Sequence, residues 1–158
     1  MTDARFEDAG EQPLRIKALD AEDLKILSSL VQDSVFPASE MVWKSKERRF
    51  AVLLNRFRWE DADAAQARGR AFERVQSVLA IEDVQKIRSA GVPRGDADTV
   101  LSLLAIEWAE KEDGAGTITL VLAGDGAIEI DVEALEVVVK DVTRPYAAPS
   151  GKSPKHAI

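Results

Sequence analysis

From Met41 onward, apolar residues recur at every second position. "EMVWKS" and "RRFAVLLNRFRW" alternate on either side of "SKER", which predicts two strands facing each other across a four-residue hairpin loop of unspecified turn type. "ERVQSVLAIEDVQKI" places Val75, Leu79 and Ile81 on one face, with Glu82 and Asp83 as a bend. "TVLSLLAIEW" is apolar on both faces, the pattern of a central strand. In "TITLVLAGDGAIEIDV", Ile118, Leu120 and Leu122 mirror Ile128, Ile130 and Val132 about Asp125. That symmetry predicts a hairpin with a three-residue loop, Gly124 to Gly126, in which Gly126 takes the left-handed position. Past Glu133 the apolar phase moves from even to odd positions (Leu135, Val137, Val139), which predicts a bulge, a kink or a new strand near Ala134.

Before Met41 the period changes. "LRIKAL" is a short alternating piece, and Leu24, Leu27, Leu30 and Val31 then share one face at helical spacing. Asp20 stands as N-cap, Glu22 and Asp23 put negative charge at the positive end of the helix dipole, and Leu19 is placed to staple onto Leu24. The spacing predicts a helix over 21–32 whose single apolar stripe must lie on a sheet or plug its open end. "EDADAAQARGRAFER" has one large apolar residue, Phe72, and reads as a short surface helix or a mobile loop; "SAGVPRGDADT" is a second polar connection. "VQSVLAIE" and "VLSLLAIE" are similar, but two copies do not make a repeat architecture and read as two like strands.

The expected fold is therefore α+β: a mainly antiparallel curved sheet, roll or barrel of seven to nine strands, with one amphipathic helix near the N-terminus. No alternation of strands with long helices supports a doubly wound sheet. A single domain is expected over 13–146. Flexible ends are expected over 1–12 and 147–158, which are polar or rich in proline and small residues.

Composition narrows the chemistry. With 158 residues, 46% hydrophobic and 31% charged, the chain can bury one sizeable core. It has no cysteine, which removes disulfides, thiolate nucleophiles and sulfur-ligated metals and fits a cytoplasmic location. The acidic start "MTDARFEDAG" does not resemble a secretory signal, and no apolar run suits a membrane span, so no membrane partner is expected. The one histidine, His156, lies third from the end, too remote to orient a triad or a metal site. "GDAD" (95–98) and "EDAD" (60–63) lack the ligand spacing of a cation loop, and the paired glycines flank strands instead of opening a phosphate-binding helix. No catalytic, cofactor or metal residues are assigned and no cofactor is expected.

One stretch resists that reading. "KERRFAVLLNRFRWE" concentrates cations and rings in a chain of net charge -7. Trp43, Arg49, Arg56, Arg58 and Trp59 form a candidate nucleic-acid surface, since single-stranded RNA is held by cations on phosphates and rings under bases. Alternation, however, sets Arg56 and Arg58 on the face of Phe50, Val52 and Leu54, away from Phe57 and Trp59. Ten Asp/Glu against two Lys between residues 107 and 141 offer those arginines internal partners instead.

"RIKALDAEDLKILSSLVQD", "KERRFAVLLNRFRWE", "ERVQSVLAIEDV", "VLSLLAIEW" and "GDGAIEIDVEALEVVVKDV" together resemble an uncharacterised bacterial family, domain-of-unknown-function family 2948, found chiefly in alphaproteobacteria. The resemblance runs from about Leu14 to Tyr146, and "ERRFAVLLNRFRWE" is its most specific block. It implies a small cytoplasmic bacterial protein whose gene lies among housekeeping genes, some for histidine biosynthesis. It lends no residue a role. The leading expectation is a non-catalytic protein-binding or scaffolding domain that recognises another protein or, as a homodimer, itself through a sheet edge. The alternatives are an RNA-binding module and a small-molecule or carboxylate-based pocket inside the sheet, lined by Glu107 or Asp131.

Overall fold

The computed structural model describes residues 12–92, 98–148 and 153–154. Most of the two ends expected to be flexible lies outside these residues, as do His156 and the 95–98 loop apart from Asp98.

One sheet carries eleven strands: β1 (Arg15–Ala18), β2 (Ser34–Pro37), β3 (Met41–Lys44), β4 (Arg49–Phe57), β5 (Glu73–Ile81), β6 (Val84–Ala90), β7 (Val100–Glu110), β8 (Gly116–Leu122), β9 (Ala127–Val132), β10 (Val137–Asp141) and β11 (Tyr146–Ala147). Their order is β1-β10-β5-β4-β2-β7-β8-β9-β6, with β3 also on β4 and β11 also on β5. Every pairing is antiparallel. The expectation of seven to nine strands is corrected to eleven. The strands it lacked, β2 and β11, are four and two residues long, too short to show alternation. The sheet does not close into a barrel, because β1 and β6 end the order with one partner each.

Two halves make up this sheet. β3, β4, β5, β11, β10 and β1 form one; β2, β7, β8, β9 and β6 form the other. A single bridge, Val35 to Asn55, pairs them across β2 and β4. The chain also crosses between them at Glu82–Asp83, where Asp83 takes φ 56° and turns β5 into β6. Beyond β9 the change of apolar phase proves to be a new strand, β10, which pairs with β5 and buries Val137 and Val139. Both inner faces feed one core, with Val52, Leu79 and Val139 from the first half and Leu103, Ile118 and Ile130 from the second.

Helix α1 (Ala21–Val31) packs on β7, β1 and β4. Asp20 caps it, its Oδ1 accepting the Asp23 N–H at 2.8 Å. Leu24, Leu27 and Val31 are buried, each contributing about 1.5–3 kcal/mol of transfer free energy. Leu19 is 59% exposed, so the expected staple onto Leu24 does not bury it. The segment after β4 takes the helical of its two readings, α2 (Trp59–Ala67), and so adds a second helix to the amphipathic one. Its apolar anchorage is slight: Ala65 is buried, and Trp59 donates its indole N–H to the Gln32 carbonyl at 2.9 Å.

Two further expectations shift. In the β8–β9 hairpin Ile118 pairs with Ile130 and Leu120 with Ile128, so Leu122 faces Gly126 and donates to its carbonyl at 2.8 Å. The loop is thus Ala123 to Asp125, and the left-handed positions are Gly124 and Asp125, not Gly126. Strand β7 is central, between β2 and β8, but its apolar faces are unequal: Leu101, Leu103 and Ile106 are buried while Val100 is 64% exposed.

Candidate functional site

Alternation along β4 carries Arg56 onto the inner face, in register with Val75 and one step from the Leu54–Ser77 pair. The guanidinium is fully buried. It donates to Glu60 at 2.8 and 2.9 Å, to both oxygens of Asp141 at 3.0 and 3.2 Å, to Ser77 Oγ at 3.2 Å and to the Leu30 carbonyl that ends α1 at 3.3 Å. Asp141 in turn accepts the Ser77 hydroxyl at 2.6 Å and the Leu14 N–H at 2.8 Å. Burial works against the Arg56 charge, but Glu60 and Asp141 outweigh it and hold its pKa above the usual guanidinium value.

Arg58, only 3% exposed, continues the cluster. It hydrogen-bonds Glu73 and stands 3.7 Å from Asp61 and 3.8 Å from Glu60. Asp61 also takes two bonds from Arg70, at 2.7 and 2.8 Å, which lower its pKa. A cleft of about 430 Å³ opens beside Arg58, Glu73 and Asp141, with Thr143 and Arg144 at its rim. Three guanidinium groups are paired with four carboxylates here, so the cluster works as a brace between β4, β5, β10 and both helices. Sequence reasoning missed its acidic half. The signal was present, because Ser77 and Asp141 sit at the inward phase of their strands, beside Val75, Leu79 and Ile81 in β5 and Val137 and Val139 in β10.

The five candidate nucleic-acid residues do not converge. Arg56 and Arg58 are withdrawn from solvent and paired, so a phosphate could reach them only after those pairs broke. Arg49 is bound to Glu82 at 2.8 and 3.1 Å, which raises its pKa. Trp59 packs edge-on to Phe57, centroids 4.6 Å apart. Trp43 pairs with Phe50, six residues along β4 from Arg56, a separation of about 20 Å at strand rise.

Asp131, a candidate for a carboxylate pocket, is likewise committed. Arg88 donates to both its oxygens and Thr117 adds a bond at 2.7 Å, which together set its pKa at about 2. The other candidate, Glu107, lines a groove at the margin of the sheet and not a cavity within it. Among the described residues no group of His, Asp or Glu is placed to hold a metal ion, and no helix is long and apolar enough to cross a membrane.

The gap between β3 and β6 is the second notable feature. Trp43 and Met41 share the face of their partners Phe50 and Val52, which are buried, yet Trp43 is 42% exposed. Across from them, Ile87 and Ser89 share the inner face with Ile130 and Ile128. Between lies a trough of about 550 Å³, floored by Phe50 and Ile128 and bordered by Met41, Trp43, Ile87 and Val92. β3 pairs only with β4, and β6 only with β9, so beyond the Val84 N–H, which donates to the Arg48 carbonyl at 2.9 Å, each presents a backbone edge that no strand covers.

No curated protein and no solved structure matches the chain. A family described as "Protein of unknown function (DUF2948)" matches residues 14–156, nearly the whole chain. The chain belongs to that family.

Proposed function

We propose that this domain binds protein, taking an extended segment of a partner into the trough between β3 and β6. The observation that carries this reading is Trp43: an inward-facing residue of an edge strand, half exposed because nothing continues the sheet beyond it. An added strand would satisfy unpaired backbone groups on its two sides and cover Trp43, Met41 and Ile87 with its alternate side chains. Neither an RNA nor a small-molecule reading gains comparable support at this place, because no cation cluster or acid pair lines the trough.

The test is selection from a random-peptide library, followed by titration of the ¹⁵N-labelled protein with the selected sequences. Amide shifts should concentrate on Met41–Lys44 and Val84–Ala90. Binding should fall at least tenfold in Trp43→Ala, a truncation whose folding cost is limited by the existing exposure of the ring. Peptides that bind elsewhere, or bind Trp43→Ala equally well, would refute the proposal. Light scattering separates the remaining case: a dimer that depends on Trp43 would make a second copy the occupant.

A further inference from the structure

Strands β4, β5 and β10 have a second face, turned away from the core, and it is apolar too. Val52 and Leu54 on β4, Leu79 on β5 and Val137 and Val139 on β10 point inward, so the residues between them point outward. Strand pairing sets these outward residues into rows across the sheet. One row runs Val42, Ala51, Ala80, Val138; the next, one step along the strands, sets Leu53 beside Val78. An antiparallel sheet that meets water on one face alternates apolar with polar residues, whereas these strands carry apolar residues on both. At one end of the face Phe57 is covered by Trp59 and Phe72. The two rows stay open among the described residues, with Val42 exposed and the other five half-buried between their own neighbours. Helix α1 lies on the opposite side, where its buried residues join the core.

We propose that two copies of the chain meet through this face, sheet on sheet, about a two-fold axis that runs across the strands between the two rows. Such an axis requires each copy to carry both halves of the fit on one surface. This face carries both: Ala51 and Ala80, side by side, leave a hollow between Val42 and Val138, and Leu53 and Val78 form a ridge next to it. The axis sets the ridge of each copy into the hollow of the other, Leu53 over Ala51 and Val78 over Ala80. Lys140 ends the ridge, and its flexible stem lets the ammonium stay in water at the rim. The area suffices. Five strands (β3, β4, β5, β10, β1) and the outward positions from Arg49 to Asn55 span about 24 Å by 26 Å at ordinary strand spacing and rise. Two such faces bury roughly 1,200 Å² together, the lower limit of a stable specific interface. An extended peptide has no purchase here, because β4 and β5 are paired on both edges, and the rows offer no ring on which a base could stack. The contact is separate from the trough, since Trp43 points to the core side of β3 and Val42 to the outer side.

Sedimentation velocity with light scattering tests this. The parent should be a dimer at about 200 µM and dissociate on dilution to about 1 µM, as an interface near the lower size limit does. Leu53→Lys and Val78→Lys should each give a monomer across that range while keeping the far-UV circular dichroism of the parent, because both side chains lie outside the core. Ala80→Leu fills the hollow with an apolar group and should weaken the dimer about tenfold; tighter association in that variant would refute the fit of ridge into hollow. Trp43→Ala should leave the dimer intact. A parent that is monomeric at about 200 µM, a dimer that survives both lysine variants, or one lost only in Trp43→Ala would overturn the proposal, the last by placing the second copy in the trough. A monomer whose amides at residues 51, 53, 78 and 80 shift with the selected peptides would overturn it as well, by giving the face to another protein.

Discussion

Asp141→Ala tests the brace around Arg56. The substitution deletes the acceptor for two Arg56 bonds, for the Ser77 hydroxyl and for the Leu14 N–H, all at a residue only 7% exposed. Arg56 is left fully buried, with Glu60 as its only carboxylate partner, and that side chain is 24% exposed. Removing one member of a buried pair costs about 3–5 kcal/mol, because the orphaned charge keeps its desolvation penalty. For a chain of this size that corresponds to a fall in Tm of roughly 6–20 °C, followed by circular dichroism and checked by urea titration. Replacing both partners, Arg56→Met with Asp141→Leu, removes the penalty along with the attraction, so the double variant should be more stable than Asp141→Ala alone. If Asp141→Ala lies within about 1 kcal/mol of the parent, or the two substitutions simply add, the network is not the brace described.

The remaining predictions concern smaller parts. Asp131 has its pKa depressed to about 2, so the stability it contributes is complete above the ordinary carboxylate pKa and is lost as pH falls toward 2. A carboxyl ¹³C titration should show this midpoint in the parent and a return toward the ordinary value in Arg88→Gln. Gly116→Ala would drive a Cβ to 2.5 Å from both the Ala109 carbonyl oxygen and the Trp108 ring, which forces β7 and β8 apart. Thermal denaturation should register a loss of about 1–3 kcal/mol. Asp20→Ala removes the cap from α1 and should cost about 1 kcal/mol in the same assay.

Legibility in the sequence followed the physics of each element. The β3–β4 hairpin was readable because strict alternation fixes register, and its four-residue loop, Ser45 to Arg48, is the one observed; Arg48, not a glycine, supplies the left-handed residue. α1 was readable from its cap and its stripe. β2 was not, because Ser34–Pro37 is short and owes its existence to pairing with β7, a contact far away in sequence. α2 was ambiguous because ion pairs of Asp61 and Glu60 tether it where apolar periodicity is weak. Phe57 stands at an outward phase and is nonetheless buried, under Trp59 and Phe72. The brace was half visible: alternation turned Arg56 inward, but its partners lie four residues on in α2 and eighty-five residues on at the end of β10. The trough depends on where strands stop, which local patterns do not record.

One ladder bridge, Val35–Asn55, binds the two halves of the sheet like the spine of a book, and the Val84 N–H on the Arg48 carbonyl at 2.9 Å clasps them again where β6 begins. Covers held at two such points can open a little without tearing a page, since the long ladders on either side stay whole. Widening the gap at the fore-edge, where Trp43 waits, therefore asks for flexure along that spine and not for the rupture of a strand pair.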